Sequence, residues 1–259
     1  WDNGNYGAHS IFLYDTKKQT SELVEISSKS PKWVNGQDKI IYLSDNGEAN
    51  IDNYIPQHVS CYEVNSKKII RLTSGRNFNI NPAVSNAGTH IVYGSDAGQK
   101  GKFDLWKMKI DGKDKEKIKT LNYENIYSST DALGVASWSK NDKFIYYGLV
   151  SSEESQNGIF KLDLASKQAT KVFETIWNDI SPSISPDDMH VAFISNRSGL
   201  NEIWTYDLIN KKFKQITSFD LSLDFFGSNL EWVSNRSFIL SALKKDENTG
   251  RTIAYKINF

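Results

Sequence analysis

The sequence predicts an all-β protein, a β-propeller of four-stranded antiparallel blades. Three observations lead there. Strand and turn signals fill the chain without a convincing helix, the signals recur at a near-constant period, and each period repeats one internal order. Apolar, β-branched and aromatic runs fall at 39–43, 90–93, 143–147, 190–194 and 237–240. A tight polar pair precedes each: Asn35-Gly36, Ala87-Gly88, Asn141-Asp142, Asp187-Asp188 and Asn235-Arg236. Gly, Asn and Asp accept the positive φ of short hairpin turns, so each pair marks a hairpin. Another short strand comes before each turn, centred on Trp33, Val84, Trp138, Ile184 and Trp232, at spacings of 51, 54, 46 and 48 residues. Repeats of this length with four strands each are a propeller signature.

Taken in chain order, 10–14 and 21–26 read as the third and fourth strands of a unit. The unit at 30–74 follows. The unit at 81–120 contains Asn-Pro-Ala-Val-Ser, Ile-Val-Tyr-Gly-Ser-Asp, a c strand from Asp104 and a d strand from Glu116. The unit starting near Gly134 repeats the order. The best-formed unit, 181–218, reads Ser-Pro-Ser-Ile-Ser-Pro-Asp-Asp, then strands from His190, Asn201 and Phe213. Three strands close the chain, at 230–234, 238–243 and 252–258. The whole reads as a single propeller domain over 1–259, with units near 1–29, 30–79, 80–130, 131–179, 180–226 and 227–259.

The motif Ser-Pro-x-(Trp/Ile)-Ser-Pro-Asp, followed by an apolar strand, Ser-(Asp/Asn)-Arg-x-Gly, x-Ile-(Trp/Tyr)-x-x-Asp and (Gln/Arg)-(Leu/Ile)-Thr, resembles the TolB-like propeller repeat. Residues 181–218 carry it most fully, and 30–74, 81–121 and 134–172 carry it with lapses. The resemblance implies a six-bladed ring. The strands read from the sequence total twenty-one, three short of six blades. An upstream continuation of about three strands would complete the first and last blades, and the alternative is a five-bladed ring with one odd strand. Trp1 is accordingly expected to be an excised rather than a natural start.

Composition narrows the function. The 31 basic and 31 acidic side chains give a formal net charge of zero, and the basic residues are scattered rather than gathered in the stripe of a nucleic-acid surface. No apolar run reaches the length of a membrane-spanning helix, and 1–10 lacks the pattern of a signal peptide. The lone Cys61 excludes an internal disulfide and reads as a small buried hydrophobe.

Residues that could do chemistry read as structural. His90 and His190 share one repeat position and so lie in different blades, as do His9 and His58. Lyases acting on uronate polymers resemble this fold and hold metal with histidines, but no dense histidine set appears on the funnel-facing loops. Prolyl oligopeptidase relatives carry a similar propeller with a separate hydrolase domain, whose Gly-x-Ser-x-Gly elbow is missing. Asp187 and Asp188, and the trio Asp45, Asp96 and Asn196 after the second strands, recur where turns require them. The expectation is a protein with no catalytic residues, metal or cofactor.

Loop length points to binding instead. In an up-and-down meander the b–c and d–a connections emerge at one end of the blades, and the long segments 45–57, 75–80, 122–133, 175–179 and 220–228 all lie there. They carry Tyr54, Phe78, Tyr123, Tyr127, Trp177, Phe225 and Phe226, with Arg76 and Asn77. Aromatics beside an arginine suit an interface, although such rings also fold inward as plugs. The strand residues Trp33, Trp106, Trp138, Trp204 and Trp232 are expected to pack between blades. The expected function is a binding propeller that engages a protein partner or small ligand on this face. The resemblance implies a periplasmic location, as a TolB-like scaffold or as the sensor domain of a ToxR/CadC-type winged-helix regulator. An enzymatic alternative is a polysaccharide lyase or a peptidase gate.

Overall fold

A computed structural model describes residues 10–45, 55–100, 102–124, 132–133, 136–150, 157–218, 229–245 and 250–258. Every regular element among them is a β-strand. The chain divides into two compact units, Trp1–Glu124 and Asn125–Phe259.

In the first unit β1 (Ser10–Asp15) pairs with β2 (Thr20–Ile26). One blade follows from β3 (Ser28–Trp33), β4 (Lys39–Ser44), β5 (His58–Glu63) and β6 (Lys68–Arg71). A second is made by β7 (Asn79–Val84), β8 (His90–Gln99), β9 (Lys102–Lys109) and β10 (Glu116–Glu124).

The second unit opens with β11 (Ala132–Leu133) and β12 (Ser137–Trp138), which both pair with β13 (Phe144–Val150). β14 (Gly158–Asp163) and β15 (Ala169–Lys171) complete that blade. The next blade is β16 (Asp179–Ile184), β17 (His190–Ser195), β18 (Glu202–Asp207) and β19 (Lys212–Gln215). β20 (Asn229–Ser234), β21 (Ser237–Lys245) and β22 (Gly250–Asn258) form a three-stranded sheet. With β11 and β12 taken as one interrupted strand, the described strands number twenty-one, two in the first sheet and three in the last. All pairings between consecutive strands are antiparallel, so each blade is a meander.

In the four-stranded blades the second strand is largely buried on both faces, which is why it reads as an unbroken apolar run. Alternation along the strand sends neighbouring residues to different cores. In β4, Ile40 and Tyr42 join Ile11, Val24 and Tyr62, while Ile41 and Leu43 join Val59, Cys61, Ile91 and Met108. In β17, Val191 and Phe193 pack with Tyr146, Ile159 and Phe173, while Ala192 and Ile194 pack with Leu230, Phe238 and Leu240. Cys61 is buried in this packing, and burial pushes its thiol up.

The connection between the first two strands is five residues long in each four-stranded blade: 34–38, 85–89, 139–143 and 185–189. Backbone hydrogen bonds close all four, and in three of them a serine side chain adds to the closure. Ser85 Oγ accepts from the Thr89 and His90 N–H groups, Ser139 Oγ from Phe144, and Ser185 Oγ from Met189 and His190, all within 2.9–3.2 Å. Gly36, Gly88, Asp142 and Asp188 all hold positive φ, between 56° and 70°. The tight polar pairs are therefore turn formers, as the sequence predicts.

Strands named by their centres prove to end there. Trp33, Val84, Trp138 and Ile184 are the last residues of β3, β7, β12 and β16. The preceding halves break the strand alternation because each of β3, β7 and β16 contains a bulge. Ser30, Asn81 and Ser181 take positive φ just before Pro31, Pro82 and Pro182, and the ladder register shifts at the same places. A bulge interrupts the ladder where proline has no N–H to give.

The closing Asp of the third strand is also structural. Asp163 Oδ1 accepts from Ala165 and Ser166, and Asp207 Oδ1 from Ile209 and Asn210, at 2.8–2.9 Å. The Asn210 N–H and side-chain amide hold the Asp207 carboxyl down to about 2. The outermost strands β6 and β19 are largely exposed and carry Lys68, Arg71, Lys212 and Lys214. Charged edge strands of this kind resist pairing with other chains.

The strand tryptophans divide. Trp106, Trp138, Trp204 and Trp232 pack in cores or are buried, and Trp232 Nε1 donates to Ser183 O of the neighbouring blade at 2.8 Å. Trp33 departs from expectation, being 57% exposed. It borders an open hollow shared with Leu13, Tyr14 and Glu22 of the two-stranded first sheet.

Adjacent blades are tied at their turns. Gln37 Nε2 donates to Gly88 O at 2.8 Å, Asn35 Nδ2 to Asn86 O at 3.2 Å, and the Lys140 N–H to Asp188 Oδ1 at 2.8 Å. A Cβ on Gly88 would sit 2.7 Å from Asn35 O, whereas one on Gly36 would meet nothing within 4 Å. Gly36→Ala is therefore expected to cost about 1–2 kcal/mol from its φ alone, and Gly88→Ala at least about 1 kcal/mol more from overpacking. Urea denaturation measures both, and equal losses would contradict turn-to-turn contact.

Candidate binding surface

At the end of the blades from which the long connections leave, three blades carry a buried polar rung. Ser28, Ser44 and His58 lie opposite one another in register, as do Asn79, Ser95 and Asp104, and Asp179, Ser195 and Glu202. All nine are buried. Buried polar groups require partners, and Ser28, Asn79, Asp104 and Glu202 find them in neighbouring strands and connections. Ser28 Oγ donates to Glu25 O and accepts from Ile11 N–H. Asn79 Nδ2 donates to Gln57 O and Thr73 Oγ1. Asp104 accepts from the Leu121 N–H and from Lys117 Nζ. Thr217 Oγ1 accepts from the Ile203 N–H and donates to Glu202.

Asp96, inside the long β8, and Asn196, just after β17, support the same end. Asp96 Oδ1 accepts from the Phe78 N–H at 2.7 Å, and Asn196 Oδ1 from the Asn178 N–H at 3.0 Å. One device therefore fixes the d–a connection in both units. Asp187 Oδ1 accepts from Ser185 Oγ and Met189 N–H within its own turn. Among the described residues no three His, Cys, Asp or Glu side chains are grouped to hold a metal ion.

The expected surface residues fare differently. Arg76 is exposed, and Asn77 and Phe78 are half-buried. Asn77 Nδ2 donates to Ser74 O, and the Phe78 ring meets Phe103 edge-on at 6.2 Å. Phe78 thus behaves as an inward plug, with Lys29 Nζ 6.0 Å from its ring. The backbone of Tyr123 pairs with Phe103, and its side chain is outside the described residues. Tyr54, Tyr127, Phe225 and Phe226 also lie outside them. Trp177, in the second unit, is 42% exposed.

Trp177 belongs to an open groove of about 540 Å³, lined also by Glu174, Thr175, Ile176, Arg197 and Phe213. Ile176 is 73% exposed and Phe213 41%. Beneath them Arg197 has only 10% of its side chain exposed. Its Nη2 donates to both carboxylate oxygens of Asp179 at 2.9 Å, and its Nε to Ser195 Oγ at 2.9 Å. Its guanidinium carbon is 4.1 Å from the Phe213 ring centre, 5.0 Å from Phe193 and 5.2 Å from Trp204. Cation–π attraction strengthens with such desolvation.

Sequence reasoning missed Arg197 and Phe213. Arg197 sits inside the Ser-Asn-Arg-Ser-Gly motif, which read as turn. Phe213 lies between lysines in an edge strand. Replacing Arg197 by Ala would strand the buried Asp179 carboxylate, an expected loss of about 3–5 kcal/mol. Arg197→Lys should recover only part, since one ammonium cannot reproduce the fork. Chemical denaturation reads both, and a loss under about 1 kcal/mol for the alanine variant would show the pair to be dispensable.

No protein-family model matches the chain, and no curated protein matches it either. Solved structures do. The chain is similar to TolB from Acinetobacter baumannii at 16% identity and TM-score 0.65, over 96% of this chain and 59% of that one. A putative TolB from Agrobacterium tumefaciens aligns at 14% identity and TM-score 0.66, over 96% and 89%. An oligogalacturonate lyase in complex with manganese aligns at 9% identity and TM-score 0.66, over 96% and 71%. The chain thus spans less than two thirds of the Acinetobacter TolB. These likenesses establish one thing, the fold: a TolB-like β-propeller.

Proposed function

We propose that this chain is a non-catalytic binding propeller of the bacterial cell envelope, either the periplasmic sensor domain of a membrane-anchored transcriptional regulator or a TolB-like scaffold. One observation carries the binding reading. The motif side chains with catalytic potential, Asp96, Asp187, Asp188 and Asp207, accept hydrogen bonds that shape turns and blade contacts, while Ile176 and Trp177 project apolar surface from an anchored connection. Large apolar groups held in water suit recognition better than stability. The envelope location is what the resemblance to TolB implies.

A second reading is a polysaccharide-cleaving propeller, since a manganese-bound lyase shares the fold. The two separate cleanly: incubation with galacturonate oligomers and manganese should release no unsaturated, ultraviolet-absorbing product, and release would establish the lyase.

For the binding reading, chemical cross-linking in the periplasmic fraction should give a defined adduct that Trp177→Ala weakens at least about fivefold, with a melting temperature within a few degrees of the parent. A large loss of stability with an unchanged adduct would make Trp177 a plug. The intact mass and N-terminal sequence of the native polypeptide then divide the versions. A winged-helix domain and a membrane span upstream would mean a sensor, and a cleaved signal peptide with a few more strands a scaffold.

A further inference from the structure

Resting on the reading of this chain as a binding module, we propose that the groove lined by Ile176, Trp177, Phe213 and Arg197 takes a neutral segment of a partner polypeptide. One apolar or aromatic side chain enters against the rings, and an adjacent backbone carbonyl accepts from Arg197 Nη1.

The argument begins with the unused donor. Nε of Arg197 goes to Ser195 and Nη2 to Asp179, and Nη1 has no acceptor among the described residues. It is not enclosed either, since it is not among the buried atoms that lack a partner. Arg197 lines the groove, and in the proposed complex this donor lies at the groove floor. A guanidinium nine-tenths buried, with two N–H bonds still to give, is a built hydrogen-bonding site.

Charge selects the acceptor. The guanidinium already faces the Asp179 carboxylate, so the pair is neutral overall. A second carboxylate entering the groove would be repelled by Asp179 and by Glu174 on the rim. Lys171 offsets part of the Glu174 charge, at 3.2 Å. An amide carbonyl accepts the same bond without that penalty. The walls supply the other half of the ligand, for Ile176, Trp177 and Phe213 offer the apolar area that a branched or aromatic side chain would cover.

The wall is held in place before any ligand arrives. The Trp177 N–H donates to Thr175 Oγ1 at 3.0 Å, the Asn178 N–H to Asn196 Oδ1, and Asp179 is held by Arg197. Three successive residues are thus fixed, which lowers the ordering cost of binding. The combination of apolar wall and neutral acceptor site describes a peptide better than an anion.

The test uses the full chain and three small probes followed by saturation-transfer NMR: N-acetylphenylalaninamide, its free acid N-acetylphenylalanine, and N-acetylalaninamide. The aromatic amide should bind at least about fivefold more tightly than either of the others. Trp177→Ala and Ile176→Ser should each weaken it severalfold without moving the melting temperature by more than a few degrees. Equal or tighter binding of the free acid, insensitivity to both substitutions, or no saturable binding of the aromatic amide would overturn the proposal. The broader reading fails separately, through lyase product or a hydrolase domain on the native polypeptide.

Discussion

A sheet buried on both faces has no solvated side on which to satisfy its ends, and the hydrogen bonds that close those ends organise this protein. Strand residues such as Ile41 and Phe193 contribute the apolar packing, and neighbouring residues of one strand serve different cores. That packing does not fix where a blade stops. The stopping points are set by short polar side chains turned onto the backbone: Ser85, Ser139 and Ser185 at one end, and the rungs headed by Ser28, Asn79 and Asp179 at the other. Unpaired buried polar groups cost about 1–3 kcal/mol each, so these contacts specify turn geometry while the cores supply cohesion.

The candidate site is a consequence of that closure. Asp179 heads its strand and must be neutralised. Arg197 reaches it from the next connection, 18 residues along the chain, and brings aromatic rings around its guanidinium. The same connection places Asn196 against the Asn178 N–H. Recognition surface and structural lock therefore share residues, and Trp177 stands between two fixed points. In the first unit the equivalent stretch uses Asp96 and Phe78, but there the ring turns inward against Phe103. One backbone device thus supports a plug in one blade and a groove wall in another.

Much of this was legible in the sequence, for physical reasons. Turn residues are constrained by φ, so Gly36, Gly88, Asp142 and Asp188 announce their turns one blade after another. Strands buried on both faces announce themselves as runs. The first strands were legible only at their ends, because the bulges at Ser30, Asn81 and Ser181 break the alternation. A strand tryptophan such as Trp33 reads as packed, whereas its exposure is decided by tertiary neighbours. Arg197 was the larger omission. Its role depends on a carboxylate 18 residues upstream, and no local pattern separates an arginine that forms a buried pair from one that decorates a turn. Loop length located the surface, but the inward or outward choice of Phe78 and Trp177 is decided by tertiary neighbours.

Amide hydrogen exchange at Trp177 and Asn178 reads whether side chain–backbone hydrogen bonds lock the groove wall. Neither amide belongs to a strand ladder, so any protection must come from Thr175 and Asn196. Protection approaching that of the flanking strands is expected, with the Asn178 amide losing it in Asn196→Ala. Exchange at both amides as fast as in an open loop, unchanged by that substitution, would contradict such a lock.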